Sequence, residues 1–234
     1  MQNTSNRIEF NFTYYAMKLL GKNLYSSPWT AISELVANGI DAGASEVYVY
    51  VNMTNKEHSV VEIFDNGNGM SYSDLADKYV LIGRNKRLSD ENNQGKTLGR
   101  KGIGKLAALY LSPKYVISTK TISEHSNWMI DTSKFKDSDI PTLSRISDSD
   151  FHCEANSQWK QCQTGTLIHL SDVDLRKIGT EKIKKLNSIL SEYYLKSQID
   201  CKIFVCIVDE MQKNILFSEI NRKYDFETMY AVFD

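Results

Sequence analysis

Proline is scarce in this chain, three residues in 234, which excludes a collagen-like or proline-rich linker protein. The four cysteines, Cys153, Cys162, Cys201 and Cys206, form no CxxC pair, and a reducing compartment would keep them as thiols. His152, Cys153, Cys162 and His169 match no common zinc spacing, so they are expected to be ordinary buried or surface residues. No run approaches the ~18 apolar residues a membrane span needs. The opening MQNTSNRIEFNF lacks the basic-then-apolar pattern of a signal peptide. The expectation is a soluble, cytoplasmic protein with no membrane partner. Neither sign of charge prevails: 28 basic and 29 acidic side chains leave a net charge of −1. That argues against a dedicated nucleic-acid or membrane-surface protein while leaving room for a local patch. Apolar residues are not lacking. With glycine they make up about 46% of the chain, an ordinary globular share, and a chain this long can bury roughly 70–75% of its unfolded surface.

Periodicity predicts helices over about 11–20 (ended by Gly21), 29–42, 72–81, 104–110 and 180–196, and strands over about 46–52, 60–64, 114–121, 127–132, 165–171 and 202–208. Gly43 reads as a helix C-cap. Ser71 and Asp74 have the spacing of a capping box. The stretch 136–160 reads as polar and irregular with a short edge element. Residues 83–103 read as a long glycine-containing loop, of the kind that is functional or disordered in a compact domain. Helices and strands mix without a βαβ rhythm, which predicts an α+β fold. The domain is expected over 1–210, with 211–234 an extension or the start of a following domain.

Three stretches carry chemistry. In Ala31–Ala42, the side chains of Glu34, Asn38 and Asp41 fall within about 60° of one another on a helix. Such a column is commonly a solvated face. Yet Asn38 and Gly39 in mid-helix cost stability without helping a solvent face. A carboxylate that activates water, beside an amide oxygen on Mg²⁺, explains that cost. The second stretch is Asp65-Asn66-Gly67-Asn68-Gly69-Met70, at the end of a strand. Alone it is an ordinary turn. It also suits a flat ligand approached by glycine backbone, with Asp65 accepting from an exocyclic amine such as adenine's and Met70 packed on the ring. The third is Gly99-Arg100-Lys101-Gly102-Ile103-Gly104-Lys105, entering a helix. Its glycines and helix N-terminus suit a phosphate cradle. Over 83–105 there are seven basic side chains (Arg84, Lys86, Arg87, Lys96, Arg100, Lys101, Lys105) against Asp90 and Glu91. That charge suits a lid closing on a triphosphate, or a solvated or nucleic-acid-contacting loop. The Walker A pattern is absent.

In order and spacing these stretches resemble the GHKL ATPases, which include gyrase B, the ninety-kilodalton heat-shock chaperones, histidine kinases, MutL and MORC proteins. ELVANGIDAGA (34–44), DNGNGM (65–70), GRKGIGKLA (99–107) and Thr164-Gly165-Thr166 are similar to that family's four boxes. The resemblance implies a Bergerat fold: a mixed, mostly antiparallel sheet with helices on one face. It implies ATP and Mg²⁺ as ligands. Glu34 would be the general base, Asn38 the Mg²⁺ ligand and Asp41 a supporting residue. Asp65 would bond the adenine amino group, with Thr166 nearby through water and Gly67, Gly69 and Met70 lining the base pocket. Gly99, Arg100, Lys101, Gly102, Ile103, Gly104 and Lys105 would cradle the phosphates, and Lys86 would reach them from the lid.

Histidine kinases lack the general-base glutamate and carry a phospho-accepting histidine on a preceding helix. This chain has Glu34 and no histidine before His58. The boxes look most like the MutL and MORC branch. There a further C-terminal domain supplies a lysine to the γ-phosphate, and ATP closes a homodimer. The expected function is a Mg-ATP hydrolysing module, slow in isolation, whose nucleotide state drives lid closure and dimerisation in a larger DNA- or protein-remodelling protein. The alternative is a module that holds ATP without useful turnover.

Overall fold

The alternation of residues 46–52 places valines in one core and tyrosines in another. The computed structural model describes residues 13–25, 27–81, 106–175, 185–194 and 199–221. Its strands are β1 (Glu46–Asn52), β2 (Ser59–Asp65), β3 (Lys114–Lys120), β4 (His125–Asp131), β5 (Ser144–Ile146), β6 (Gly165–Val173), β7 (Lys202–Val208) and β8 (Ser218–Glu219). They form one eight-stranded sheet in the order β5-β4-β3-β6-β2-β1-β7-β8. β1 and β7 run parallel, Val49 beside Val205. The other pairings among the described residues are antiparallel. This is an α+β fold, as the mixed order of elements predicts, with the mixed, mostly antiparallel sheet that the resemblance implies. No helix among the described residues is long and apolar enough to cross a membrane.

The helices are α1 (Tyr14–Leu24), α2 (Pro28–Asp41), α3 (Tyr72–Asp74), α4 (Leu106–Leu111), α5 (Asn156–Trp159) and α6 (Leu186–Tyr193). Met17, Ile32, Leu35, Val36, Leu106, Leu186 and Leu190 join Val47, Val49, Val51, Ile63, Ile117, Leu170 and Ile203 in the larger core. Four helices thus cover one face of the sheet. α1 does not end at Gly21 but continues to Leu24. A mid-helix glycine costs about 1 kcal/mol relative to alanine; Leu24 packing on the core and the burial of Tyr25 offset it. The helix predicted over 72–81 also differs. Ser71 and Asp74 do form the capping box, but after Asp74 the turn widens to a π-helix over Leu75–Tyr79, and the Val80 amide reaches the Leu75 carbonyl at 3.1 Å.

The other face is roofed by the irregular stretch around α5. Tyr48, Tyr50, Phe64 and Leu167 pack there against Ala155, Trp159 and Cys162. One buried carboxylate pins this roof. Glu62 is fully buried and accepts from His169 Nδ1 at 2.8 Å and from the backbone amides of Glu154 and Ala155 at 2.8 and 2.9 Å. The Cys153 thiol donates to it at 3.3 Å. Two residues whose zinc spacing did not fit, Cys153 and His169, therefore meet at an acid. Burial pushes the Glu62 carboxyl up, but the His169 bond and charge and the two amides outweigh it and hold it below its ordinary value of 4.5. Its contribution to stability is therefore present above pH 4.5 and lost as pH falls through the lower folded value. Glu62→Ala leaves two amides and an imidazole without their acceptor, and is expected to cost about 3 kcal/mol. A urea midpoint unchanged from the parent would refute that anchoring role.

Candidate functional site

α2 is built for its ends as much as its middle. Ser27 caps its N-terminus, accepting from the Thr30 amide at 3.3 Å, and Pro28 takes the first turn. At the other end the Gly43 amide bonds Ile40 at 3.0 Å and the Ala44 amide bonds Gly39 at 3.2 Å. With Gly43 at φ +77°, this is the closed Schellman ending that favours glycine. Between those ends Glu34, Asn38 and Asp41 are all half-buried, while Ala31, Ile32, Ser33, Leu35, Val36, Ala37 and Gly39 are buried. The column is therefore not a freely solvated face. Burial first, and then the Glu34 charge, raises the Tyr25 hydroxyl above its ordinary value. Tyr194, whose hydroxyl donates to the Ser33 carbonyl, is raised by burial and then by Glu34 and Asp41. Two buried tyrosines thus lie within the field of the column's acids.

Asp65 closes β2 directly beneath this helix. A Cβ at Gly39 would stand 2.9 Å from Asp65 Cβ and 3.1 Å from Val47 Cγ2. The mid-helix glycine is thus explained by contact: any side chain there would push α2 off the end of β2. Asp65 is 6% exposed and accepts from the Gly67 amide at 2.8 Å. Burial pushes its carboxyl up to about 6, against the lowering effect of the Gly67 and Thr166 amides.

The loop beyond Asp65 is tied on both sides. Asn66 Oδ1 accepts from the Ser45 and Glu46 amides at 3.0 and 2.9 Å, and the Asn68 amide bonds the Ala42 carbonyl at 3.1 Å. Gly69 lies against the Lys120 and Gly165 carbonyls. Met70 packs on the edge of the larger core.

Asp65, Gly67, Gly69, Met70 and Thr166 are brought together at one end of β2, β6 and β3, under the C-terminal half of α2. Glu34, Asn38 and Asp41 lie along that helix. Lys86, Gly99, Arg100, Lys101, Gly102, Ile103, Gly104 and Lys105 lie outside the described residues. Asn66 and Thr119 were not singled out from the sequence. Thr119 pairs with Thr166 across the sheet, and its Oγ1 accepts from the Met70 amide at 2.7 Å. Among the described residues no group of three or more His, Cys, Asp or Glu could hold a metal ion. An amide oxygen beside carboxylates fits Mg²⁺, which keeps its waters and takes most other oxygens from a bound phosphate.

An acceptor buried under a polar helix, with glycine backbone on either side, has the chemistry to receive a donor from a flat ligand. The protein named "Putative type II restriction enzyme HgiDII" of Herpetosiphon aurantiacus is 39% identical over 101 residues, 42% of this chain and 16% of that protein. The DNA mismatch repair protein MutL of Endomicrobium trichonymphae is 24% identical over 196 residues, 80% of this chain and 30% of that protein. MutL of Borreliella afzelii is 28% identical over 122 residues, covering 52% and 20%. The chain thus spans less than a third of the length of each. Residues 25–166, which run from the end of α1 to the threonine beside Asp65, match the family described as histidine kinase-, DNA gyrase B- and HSP90-like ATPase. This chain belongs to that family of ATPases.

Proposed function

We propose that the chain binds Mg-ATP and hydrolyses it, and that it serves as the nucleotide-driven module of a larger protein acting on DNA. The observation that carries this reading is Asp65: a buried acceptor at a strand end, in contact with the helix that bears Glu34. Asp65 takes the adenine amino group, with Thr166 alongside through water and Gly67, Gly69 and Met70 walling the base. Asn38 offers its oxygen to Mg²⁺, which when bound offsets phosphate charge. Glu34 takes a proton from the attacking water. The water oxygen bonds the γ-phosphorus as the bond to the β–γ bridging oxygen breaks, and ADP and phosphate leave. Asp41 supports the column. Lys86 and the backbone of residues 99–105 receive the triphosphate and close over it as a lid. Closure then promotes a homodimer, with a further domain contributing to the γ-phosphate. The relatives' names, mismatch repair and restriction, favour DNA over a protein client.

Titration calorimetry tests the base assignment. ATP should bind, and GTP should bind at least roughly tenfold more weakly, because a charged acceptor repels the guanine carbonyl and loses its donor. Equal affinity for the two would overturn the adenine reading. The same carboxyl makes binding pH-dependent. Asp65 has a folded value of about 6 against an ordinary 3.8, so it is ionised at pH 7 and protonated at pH 5. ATP affinity is expected to fall as pH drops through 6. Stability of the nucleotide-free protein moves the other way for this group. Its folded form binds the proton more tightly, so the cost of the buried charge shrinks as pH falls from about 6 towards 4. Affinity that is flat between pH 7 and 5 would count against Asp65 as the acceptor.

A further inference from the structure

Thr119 stands on β3 in register with Thr166 of β6, and Lys120 beside it is in register with Gly165. Its side chain is 1% exposed. Oγ1 accepts from the Met70 amide at 2.7 Å, and lies 3.3 Å from the Met70 carbonyl and 3.4 Å from the Gly165 carbonyl. A hydroxyl has one proton and two lone pairs. One lone pair is taken by the amide, and the proton is divided between two carbonyls on different segments. Those segments are the Gly67–Met70 loop and the Gly165-Thr166 strand start, the two walls between which the base is proposed to lie.

Strand stability does not explain a threonine here, because valine fits a buried strand as well. What valine lacks is the hydroxyl. With valine, the Met70 amide would lose the acceptor it has at 2.7 Å. We propose that Thr119 is a positioning residue for nucleotide binding: its hydroxyl joins Met70 to Gly165 and so sets the width of the adenine slot. This rests on the adenine reading given above. Thr119 touches neither the phosphates nor the attacking water in that reading, so it acts on affinity and not on the chemical step.

The test is binding of ATP and ADP, steady-state hydrolysis and hydrogen exchange at the Met70 amide, in the parent, Thr119→Val and Thr119→Ser. Losing a buried hydrogen bond should weaken ATP and ADP alike, by roughly five- to twentyfold in Thr119→Val. KM should rise by the same factor with kcat within about twofold, the pattern of lost uniform binding. Thr119→Ser should restore parental affinity. The Met70 amide should lose protection in the valine variant even without nucleotide. Should valine at this position fail to fold, Thr119→Cys keeps the volume with a weaker hydrogen-bonding group and should bind less tightly than Thr119→Ser. Parental affinity in the valine variant, or serine binding as weakly as valine or cysteine, would overturn this role while the adenine reading stands. A parent that binds neither ATP nor ADP would overturn the adenine reading itself, and this role with it.

Discussion

Changing Glu34 to alanine is expected to leave ATP bound and to slow its hydrolysis by ~10²–10⁴-fold, the usual contribution of a general base. The separation of effects follows from position. Glu34 lies on α2 four residues before Asn38, whereas the proposed base contacts centre on Asp65 at the end of β2. Glu34 is half-buried, and Tyr25 and Tyr194 feel its charge. Glu34→Gln preserves the shape and should be equally slow. Single-turnover hydrolysis and calorimetry on the same samples separate the two quantities. Hydrolysis at the parental rate in either variant would remove Glu34 from the chemistry.

Gly165→Ala is expected to damage the site's framework severely. An added Cβ would lie 1.9 Å from the Asp65 carbonyl oxygen and 2.8 Å from its carbon, at a φ of +137°. Both obstructing atoms are backbone, so no rotamer relieves the clash, and Asp65 itself must move. We expect a stability loss of about 3 kcal/mol or more together with loss of nucleotide binding. Gly43→Ala is the natural control. Its φ of +77° is also left-handed, but the nearest atom to an added Cβ is Asn68 Nδ2 at 3.7 Å, so only backbone strain of about 1 kcal/mol is expected. Thermal melts of the two variants should differ accordingly. Equal melting temperatures would mean that the approach of Gly165 to Asp65 is not tight in solution.

Local signals made much of this architecture legible. Strict alternation marked β1, and the Ser71–Asp74 spacing marked a capping box that forms as read. The polar column of α2 stood out because it sits on a helix whose other residues are mostly apolar. What escaped was set by distant partners. α1 outruns Gly21 because the core beyond it takes Leu24 and Tyr25. The roof over Tyr48 and Phe64 has no period to detect, since its fastening is a carboxylate on β2, about 90 residues earlier in the chain. Asn66 reads as a turn residue from sequence, yet its amide oxygen fixes the start of β1. Thr119 is one hydroxyl in a strand, and nothing in its neighbours' pattern distinguishes it from a packing residue.

The parallel pairing of β1 with β7 has a consequence for the order of assembly. Residues 46–52 are completed on their outer side only by 202–208, while the segment that matches the family ends at 166. During synthesis, the stretches that form α2 and the end of β2 emerge well before the strand that closes their sheet. Until then β1 is an edge: seven residues, alternately valine and tyrosine through its centre, with one row of backbone groups unpaired. Such an edge recruits other strands, and long-range pairing of this kind is slow to form. A fragment trimmed to 25–166 would keep that edge permanently, would also lose most of β6 from between β2 and β3, and should self-associate, although it contains every residue from Glu34 to Thr166.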